Sequence, residues 1–443
     1  MIKINAWPLG AFCAVLALAS GQVRAAGFEI LEQSAEAQGT AQAGAGARAD
    51  DPSTVFFNPA GVTMLPGIQI GGNVTGIFLQ TTPETGSAST ASYLGGMPYS
   101  TKPGGNAGFS VAVPDLYDTA QLTDTLFAGV AITSPFGLVT KYGADSIVSN
   151  YALTTHLQTI NIGPAIAWKV MPNFSIAAGL NVETAQGHLS NAVDFGAIGA
   201  LSGLAAYGYL PGTHIGSATI NGSDTAVGWN LGALYEPLPG THIGLTYRSA
   251  MFHDLSGSVN YNNVPLPLAS SFQSASANAK LPEPSIAILS VAQAVGDWTI
   301  LGSLTYTGWS IFHNLTAYSG GSPISTTVEN FHDTVAVAVG ADYRLNDKVT
   351  LRAGTMFDPT PVQNADRTPR LPDADRYNLS VGATYRPLPA LSLSAAYTHI
   401  FTQKVSVDQV DAGPGTPNFL RGDLIATFNS SIDVLSVEAS YRF

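Results

Sequence analysis

The sequence predicts an all-β membrane protein: a 14-stranded antiparallel transmembrane β-barrel with an N-terminal plug in its lumen. Three observations carry that expectation. First, apolar and polar residues alternate with period two, most cleanly at the end, where Leu435, Val437, Ala439, Tyr441 and Phe443 interleave with Ser436, Glu438, Ser440 and Arg442. Second, only 11% of the residues are charged, against about 25% in soluble domains, yet beyond the N-terminus the chain lacks an apolar run long enough for a spanning helix. Third, tight and long connections take turns along the chain, as they do when short turns gather at one rim of a barrel and long loops at the other.

Taken in order, residues 1–25 read as a signal peptide. Lys3 supplies the basic region, Leu9 to Ala19 the apolar core, and Val23-Arg24-Ala25 the small-residue cleavage site. The only cysteine, Cys13, falls inside this leader. Removing Lys3 and Arg24, with no acid lost, takes the net charge from -12 to -14. So acidic a chain has no electrostatic case for nucleic acid. Residues 26–67 do not alternate and form the expected hatch. They include a small-residue stretch, Glu32 to Ala49, followed by Val55-Phe56-Phe57-Asn58-Pro59-Ala60-Gly61. A 14-stranded wall is wide enough to need filling unless it is an open pore.

The barrel itself is assigned to 68–443. Its strands are expected near 68–80, 107–114, 125–134, 158–168, 174–188, 224–236, 240–253, 283–294, 298–313, 332–344, 349–358, 377–386, 391–407 and 430–443. Tight links such as Met171-Pro172-Asn173, Val295-Gly296-Asp297 and Pro387-Leu388-Pro389-Ala390 join even strands to odd ones. All the odd-to-even links are expected to be long, about 18 to 35 residues by this strand assignment. An aromatic girdle follows from the same register: Trp168, Tyr235, Trp298, Tyr343, Tyr385 and Phe443 all fall at the short-turn rim. A terminal aromatic on an alternating strand also resembles the signal read by the outer-membrane barrel-assembly machinery.

Ala26-Gly-Phe28, Glu32-Gln33-Ser34 and Ala49 to Gly61 resemble the FadL family of outer-membrane transporters. So do Ser134-Pro135-Phe136-Gly137-Leu138, Tyr306-Thr307-Gly308-Trp309-Ser310 and Pro372-Asp373-Ala374-Asp375-Arg376-Tyr377. The resemblance spans nearly the whole mature chain. It implies an N-terminal hatch, hydrophobic ligands entering from outside, and either long-chain fatty acids or aromatic hydrocarbons as cargo.

For a carboxylate, parity selects Arg248 and Arg352 as inward cations, with pairing to Asp342, Glu183, Glu438 or hatch acids as the competing role. By its place in the Ala26-Gly-Phe28 start, the resemblance implies Phe28 as the hatch residue at the ligand, and Asn58, Pro59, Ala60 and Gly61 are expected as the gating turn. The long external loop 189–223 carries Ile198, Leu201, Leu204, Ala205 and Tyr207 at the spacing of a short amphipathic helix. Loop 254–282 adds Leu266 and Phe272. His188, His242, His253 and His399 are expected near rims or loops. His214 and Asp224 share a loop, a hint of metal without ligand spacing. Hence no catalytic set, no metal and no cofactor are expected, and the partners are a hydrophobic ligand and outer-membrane lipid around a monomer. The rival readings are an open diffusion porin for small polar solutes and a structural barrel that transports nothing.

Overall fold

A computed structural model describes residues 27–443 apart from Thr101. The leader at 1–25 and its cleavage position lie outside these residues. Fourteen antiparallel strands form the wall. They are β1 (Ile68–Ser89), β2 (Ser110–Gln121), β3 (Leu126–Thr133 and Gly137–Lys141), β4 (Thr154–Met171), β5 (Phe174–Asp194), β6 (Ile215–Leu238) and β7 (Thr241–Arg248 and Met251–Asn262). They continue as β8 (Ala275–Glu283 and Ile286–Val295), β9 (Trp298–Thr307 and Asn314–Ser319), β10 (Ser322–Val328 and Thr334–Arg344), β11 (Val349–Asp358), β12 (Arg376–Leu388), β13 (Leu391–Thr402 and Val405–Gln409) and β14 (Asp423–Arg442). Each pairs with its neighbours in sequence, and β1 closes on β14 from Gln69↔Arg442 to Ser89↔Asp423.

Closure of β1 on β14 leaves no edge strand, so the backbone is satisfied within the wall wherever the ladders run uninterrupted. The side-chain period then sorts solvents. In β4, Thr155, Thr159, Asn161, Ala165 and Ala167 are buried inside, while Ile160, Ile162, Ile166 and Trp168 face outward and are exposed. Exposed apolar side chains are stable here because lipid is the solvent on that face.

The links depart from expectation on the upper side. The span 314–331, expected as an 18-residue loop, is instead a hairpin extension: Asn314–Ser319 pairs with Ser322–Val328 around Gly320-Gly321. Both glycines have positive φ, 57° and 81°, which the tight hairpin turn demands and other residues resist. Loop 189–223 likewise shrinks to 195–214, and loop 254–282 to 263–274, because β5 to β8 run on past their apolar alternation. Period-two apolarity marks only the lipid-facing part of a strand, so strand ends projecting beyond it read as loop. His214 and Asp224 therefore part company: His214 stays in the loop and Asp224 belongs to β6. His253 is also not at a rim; it is fully buried inside the wall on β7.

The N-terminal segment packs inside the barrel. α1 (Ala35–Gln38) is capped by Ser34 Oγ, and Glu438 of β14 accepts from Ser34 Oγ and from the Ala35 and Glu36 amides at 2.8, 2.8 and 3.3 Å. A carboxylate at a helix N-terminus satisfies donors that would otherwise be orphaned. Room for the segment comes from inward glycines of the wall. A Cβ on Gly244 would overlap the Gly46 carbonyl, and one on Gly354 the Thr40 backbone. Two connections fold inward as well, 142–153 and 359–375, joined by the Tyr142 hydroxyl donating to the Pro369 carbonyl at 2.7 Å.

Candidate functional site

The lumenal cavities begin at a break in β3. Pro135 has no N–H to give to a ladder, and Ser134-Pro135-Phe136 leaves the wall to meet the N-terminal segment. The Ile30 amide donates to the Pro135 carbonyl at 2.8 Å and the Gly137 amide to the Phe28 carbonyl at 2.9 Å. Consequently the β2–β3 pairing stops at Leu116↔Ile132 and resumes only at the isolated bridge Gly108↔Thr140. Between these points Ser110–Asp115 lacks a ladder partner on that side, which leaves a window in the wall.

A cavity of about 390 Å³ reaches this window. Val111 and Val113 line it from the inward face of β2, and Ala112 and Pro114 from the outward face, so its lining crosses the wall. Inside, Phe28, Ile30, Leu138 and Ile400 make it mostly apolar. A smaller chamber of about 90 Å³ adjoins it, lined by Leu255, Leu281, Phe312, Leu315 and Arg370. Phe28, Leu138, His156, Leu157 and Leu371 line both. Phe28 therefore stands between the chambers, buried against Trp309 at 4.8 Å, Phe312 at 5.7 Å and Phe136 at 5.8 Å between ring centres.

The two arginines chosen by parity do point inward, but both are engaged by the N-terminal segment. Arg352 pairs with Glu36 at 2.6 Å and Asp342 at 3.5 Å. Arg48 closes the cluster, 3.0 Å from Asp342 and 3.6 Å from Glu36. Burial raises the Glu36 carboxyl, but Arg352 and Arg48 outweigh it and hold the group down at about 2. Arg248 stacks over the Phe56 ring at 4.1 Å and donates to the Phe56 carbonyl at 3.3 Å. Burial acts unopposed enough on Glu29 to push it up to about 7, against Arg248 and a Thr307 hydrogen bond.

Parity reasoning could not reach Arg370, because it sits on an inward-folded loop. Its guanidinium makes only long contacts, to Thr155 Oγ1 at 3.3 Å, the Ser190 carbonyl at 3.4 Å and Asn191 Oδ1 at 3.5 Å; its Nε has no partner among the described residues. Glu329 lines the same chamber, and burial pushes its carboxyl up to about 8 despite the nearby Arg370, which weakens it as a counter-ion for that arginine. An apolar chamber with one under-satisfied guanidinium is built to hold an apolar tail with an anionic head.

Asn58 ties the segment to itself and to the wall. Its Nδ2 donates to the Gly46 carbonyl at 2.7 Å and the Ala233 carbonyl at 3.0 Å, and its Oδ1 accepts from the Ala60 amide at 3.1 Å. Pro59, Ala60 and Gly61 open the 3-10 turn Pro59–Met64 that follows. At the outer mouth, the segment from α2 (Phe195–Gly199) through Tyr207 is helical but broken at Gly203, where φ is 83°. Its buried contacts are Phe195 and Ala197, whereas Leu201 and Tyr207 are exposed and Leu204 half-exposed. Leu266 is 91% exposed. Phe272 packs edge-on against Phe195 at 5.1 Å and so joins the two loops. Of the girdle residues, Trp168, Tyr235, Trp298, Tyr385 and Phe443 are exposed, and Tyr343 stacks on Trp298 at 4.6 Å.

The family profile described as "Outer membrane protein transport protein (OMPP1/FadL/TodX)" matches residues 16–443. A long-chain fatty acid transport protein of Salmonella typhi is 30% identical over 416 residues, covering 90% of this chain and 93% of that one. The crystal structure of a Pseudomonas aeruginosa FadL homologue superposes with a TM-score of 0.87 at 26% identity, covering 94% of this chain and 100% of that one. The Pseudomonas putida toluene transporter TodX shares the fold at TM-score 0.65 and 16% identity, with 95% and 99% covered.

Proposed function

From the premise that this chain belongs to the OMPP1/FadL/TodX family of outer-membrane transport proteins, which are transporters and not enzymes, we propose that it takes up long-chain fatty acids passively. Ligand collects on the exposed apolar loop residues Leu201, Tyr207 and Leu266. It enters the chamber below, where Arg370 receives the carboxylate and Leu255, Leu281 and Leu315 the tail. Phe28 and the hatch around Asn58-Pro59-Ala60-Gly61 then give way, and the ligand leaves through the window beside Val111 to Pro114 into the bilayer. Binding moves the hatch only to the extent that ligand prefers the released state. The driving force is consumption of ligand downstream.

The observation that carries this reading is the pair of adjoining apolar chambers, with an under-satisfied guanidinium in one and a gap in the wall at the other. The test is uptake of labelled oleate by a host without its own transporter. Supplying this chain restores uptake, and Arg370→Gln lowers it at least about tenfold while the barrel remains in the membrane. Toluene uptake with no oleate uptake would instead assign the chain to aromatic hydrocarbons, and a large steady conductance in planar bilayers would favour a porin.

A further inference from the structure

We propose that Glu183 of β5, His253 of β7 and Glu283 of β8 form a binding site for a divalent transition metal within the barrel wall. The three side chains are fully buried, and their ligand atoms all lie within 4.8 Å of one another. His253 Nε2 stands 3.9 Å from Glu183 Oε1 and 3.7 Å from Glu283 Oε2. These separations exceed hydrogen-bond reach. Among the described residues, neither carboxylate oxygen of Glu183 or Glu283 and neither ring nitrogen of His253 has a hydrogen-bond partner. Two buried carboxylates left in that condition are costly, because desolvation is not repaid by any bond. Donor atoms about 3.4 Å apart are what a tetrahedral ion with bonds of ~2.1 Å requires, so the observed spacing is close to a ligand cage.

Charge balance favours the same conclusion. A divalent ion neutralises both glutamates and leaves the imidazole neutral, the form that ligates metals. The alternative is a protonated His253 shared between the carboxylates. It would draw in to hydrogen-bond distance, which the 3.7 and 3.9 Å separations do not reach. Arg248 lies within electrostatic reach of both glutamates, yet its guanidinium donates to the Phe56 carbonyl.

The surroundings also resemble a metal site. Asp224 Oδ2 lies 3.5 Å from His253 Nδ1 and is itself held by the Asp254 amide at 3.0 Å. At 3.5 Å the pair makes no hydrogen bond as it stands, but a carboxylate on that side of the ring is placed to accept from Nδ1–H and orient the histidine once Nε2 ligates a metal. One His and two Glu suit Zn²⁺ or Mn²⁺ better than Ca²⁺ or Mg²⁺, which favour all-oxygen shells. The site falls where the wall is interrupted: β7 breaks after Arg248 and β8 after Glu283. Breaks of this kind re-aim side chains. A metal here would staple β5, β7 and β8 beside the interruptions in the β7 and β8 ladders.

The experiment uses the full chain without an affinity tag, purified in detergent and stripped with a chelator. Titration with Zn²⁺, and separately with Mn²⁺, followed by calorimetry and elemental analysis, is expected to give one ion per chain at micromolar concentration or tighter. It should also raise the temperature at which the barrel unfolds in dodecyl sulfate. Glu183→Gln with Glu283→Gln abolishes both effects, and Asp224→Asn weakens binding about 10–100-fold. No binding by the unaltered chain up to about 100 μM metal overturns the site. So does metal binding that survives in the double variant, which would place the ion elsewhere.

Discussion

At the scale of the residue, the hatch is held by a few buried charges. Removing Arg352 leaves Glu36 and Asp342 short of a partner inside the wall. Breaking a buried pair from one side costs roughly 3–5 kcal/mol. Arg352→Ala should therefore loosen the hatch without preventing barrel insertion, and Arg352→Ala combined with Glu36→Gln should recover much of the loss. Protection of hatch amides from hydrogen exchange reads both effects, and equal protection in all variants would refute the lock. Glu29 adds a pH dependence of defined sign. Its folded carboxyl sits at about 7, raised from 4.5 chiefly by burial, with Arg248, Arg376, Glu32 and Thr307 facing it. A raised acid costs nothing below 4.5, and its cost grows as pH climbs to about 7. Asp51, raised to about 6 by burial, acts the same way. Hatch release should thus increase between pH 5 and 7, by at most about tenfold per pH unit for one proton, and then level off. The labelling rate of Ala41→Cys, divided at each pH by that of a free thiol to remove the thiolate dependence, measures it. Glu29→Gln should flatten the curve, and an unchanged slope in that variant would assign the dependence to another group.

At the scale of the element, strand existence was legible wherever lipid faces the wall, because alternation there is enforced by two solvents. Each of the fourteen strands overlaps an expected stretch, β2 least, since it runs Ser110–Gln121 against the expected 107–114, and the tight turns at 172–173, 296–297 and 389–390 fall within the expected links. Strand ends beyond the lipid carry no such enforcement, which is why the extension joining β9 to β10, 314–331, reads as loop despite its Gly320-Gly321 turn. Inward positions were legible only as small residues. What they accommodate is visible in the fold: Gly340 and Gly354 make room for Thr40, and Gly382 for Gly39. This gives a test of the packed hatch. Gly354→Val fills the space now taken by the Thr40 backbone while preserving strand propensity and leaving the lipid face untouched. The barrel should still insert and close, while the hatch is displaced and planar-bilayer conductance rises severalfold. Gly76→Ala, with space bounded by the flexible Phe78 side chain, serves as the control. Conductance equal to that of the unaltered protein in Gly354→Val would mean that the hatch does not fill the pore.

At the scale of the whole molecule, the proposed ligand path joins parts that no local pattern connects. Phe28 is recognisable from the Ala26-Gly-Phe28 motif, but Arg370, Leu255 and Leu371 converge only through inward-folded loops and a closed wall. The window is likewise a global feature. It needs Pro135 to break β3, residues 28–30 to capture the displaced strand, and β1 to hold β2 in place from Ile68↔Ala120 to Phe78↔Ser110. These three conditions separate lateral exit from downward exit. A disulfide between Asp115→Cys and Ser134→Cys would tie β2 to the departing strand across the gap while leaving the outer loops and the hatch lock intact; because Ser134 lines the larger cavity, the reduced pair is the control for any change in that chamber. If the ligand leaves sideways, oxidising this pair abolishes oleate uptake, reduction restores it, and binding of oleate to the purified protein is unaffected in either state. If the ligand leaves downward past the hatch, the oxidised protein transports at the normal rate, and Arg352→Ala accelerates uptake whether or not the window is tied. The combined variant therefore discriminates the routes: a closed window with a loosened hatch remains inactive only when the wall itself is the exit.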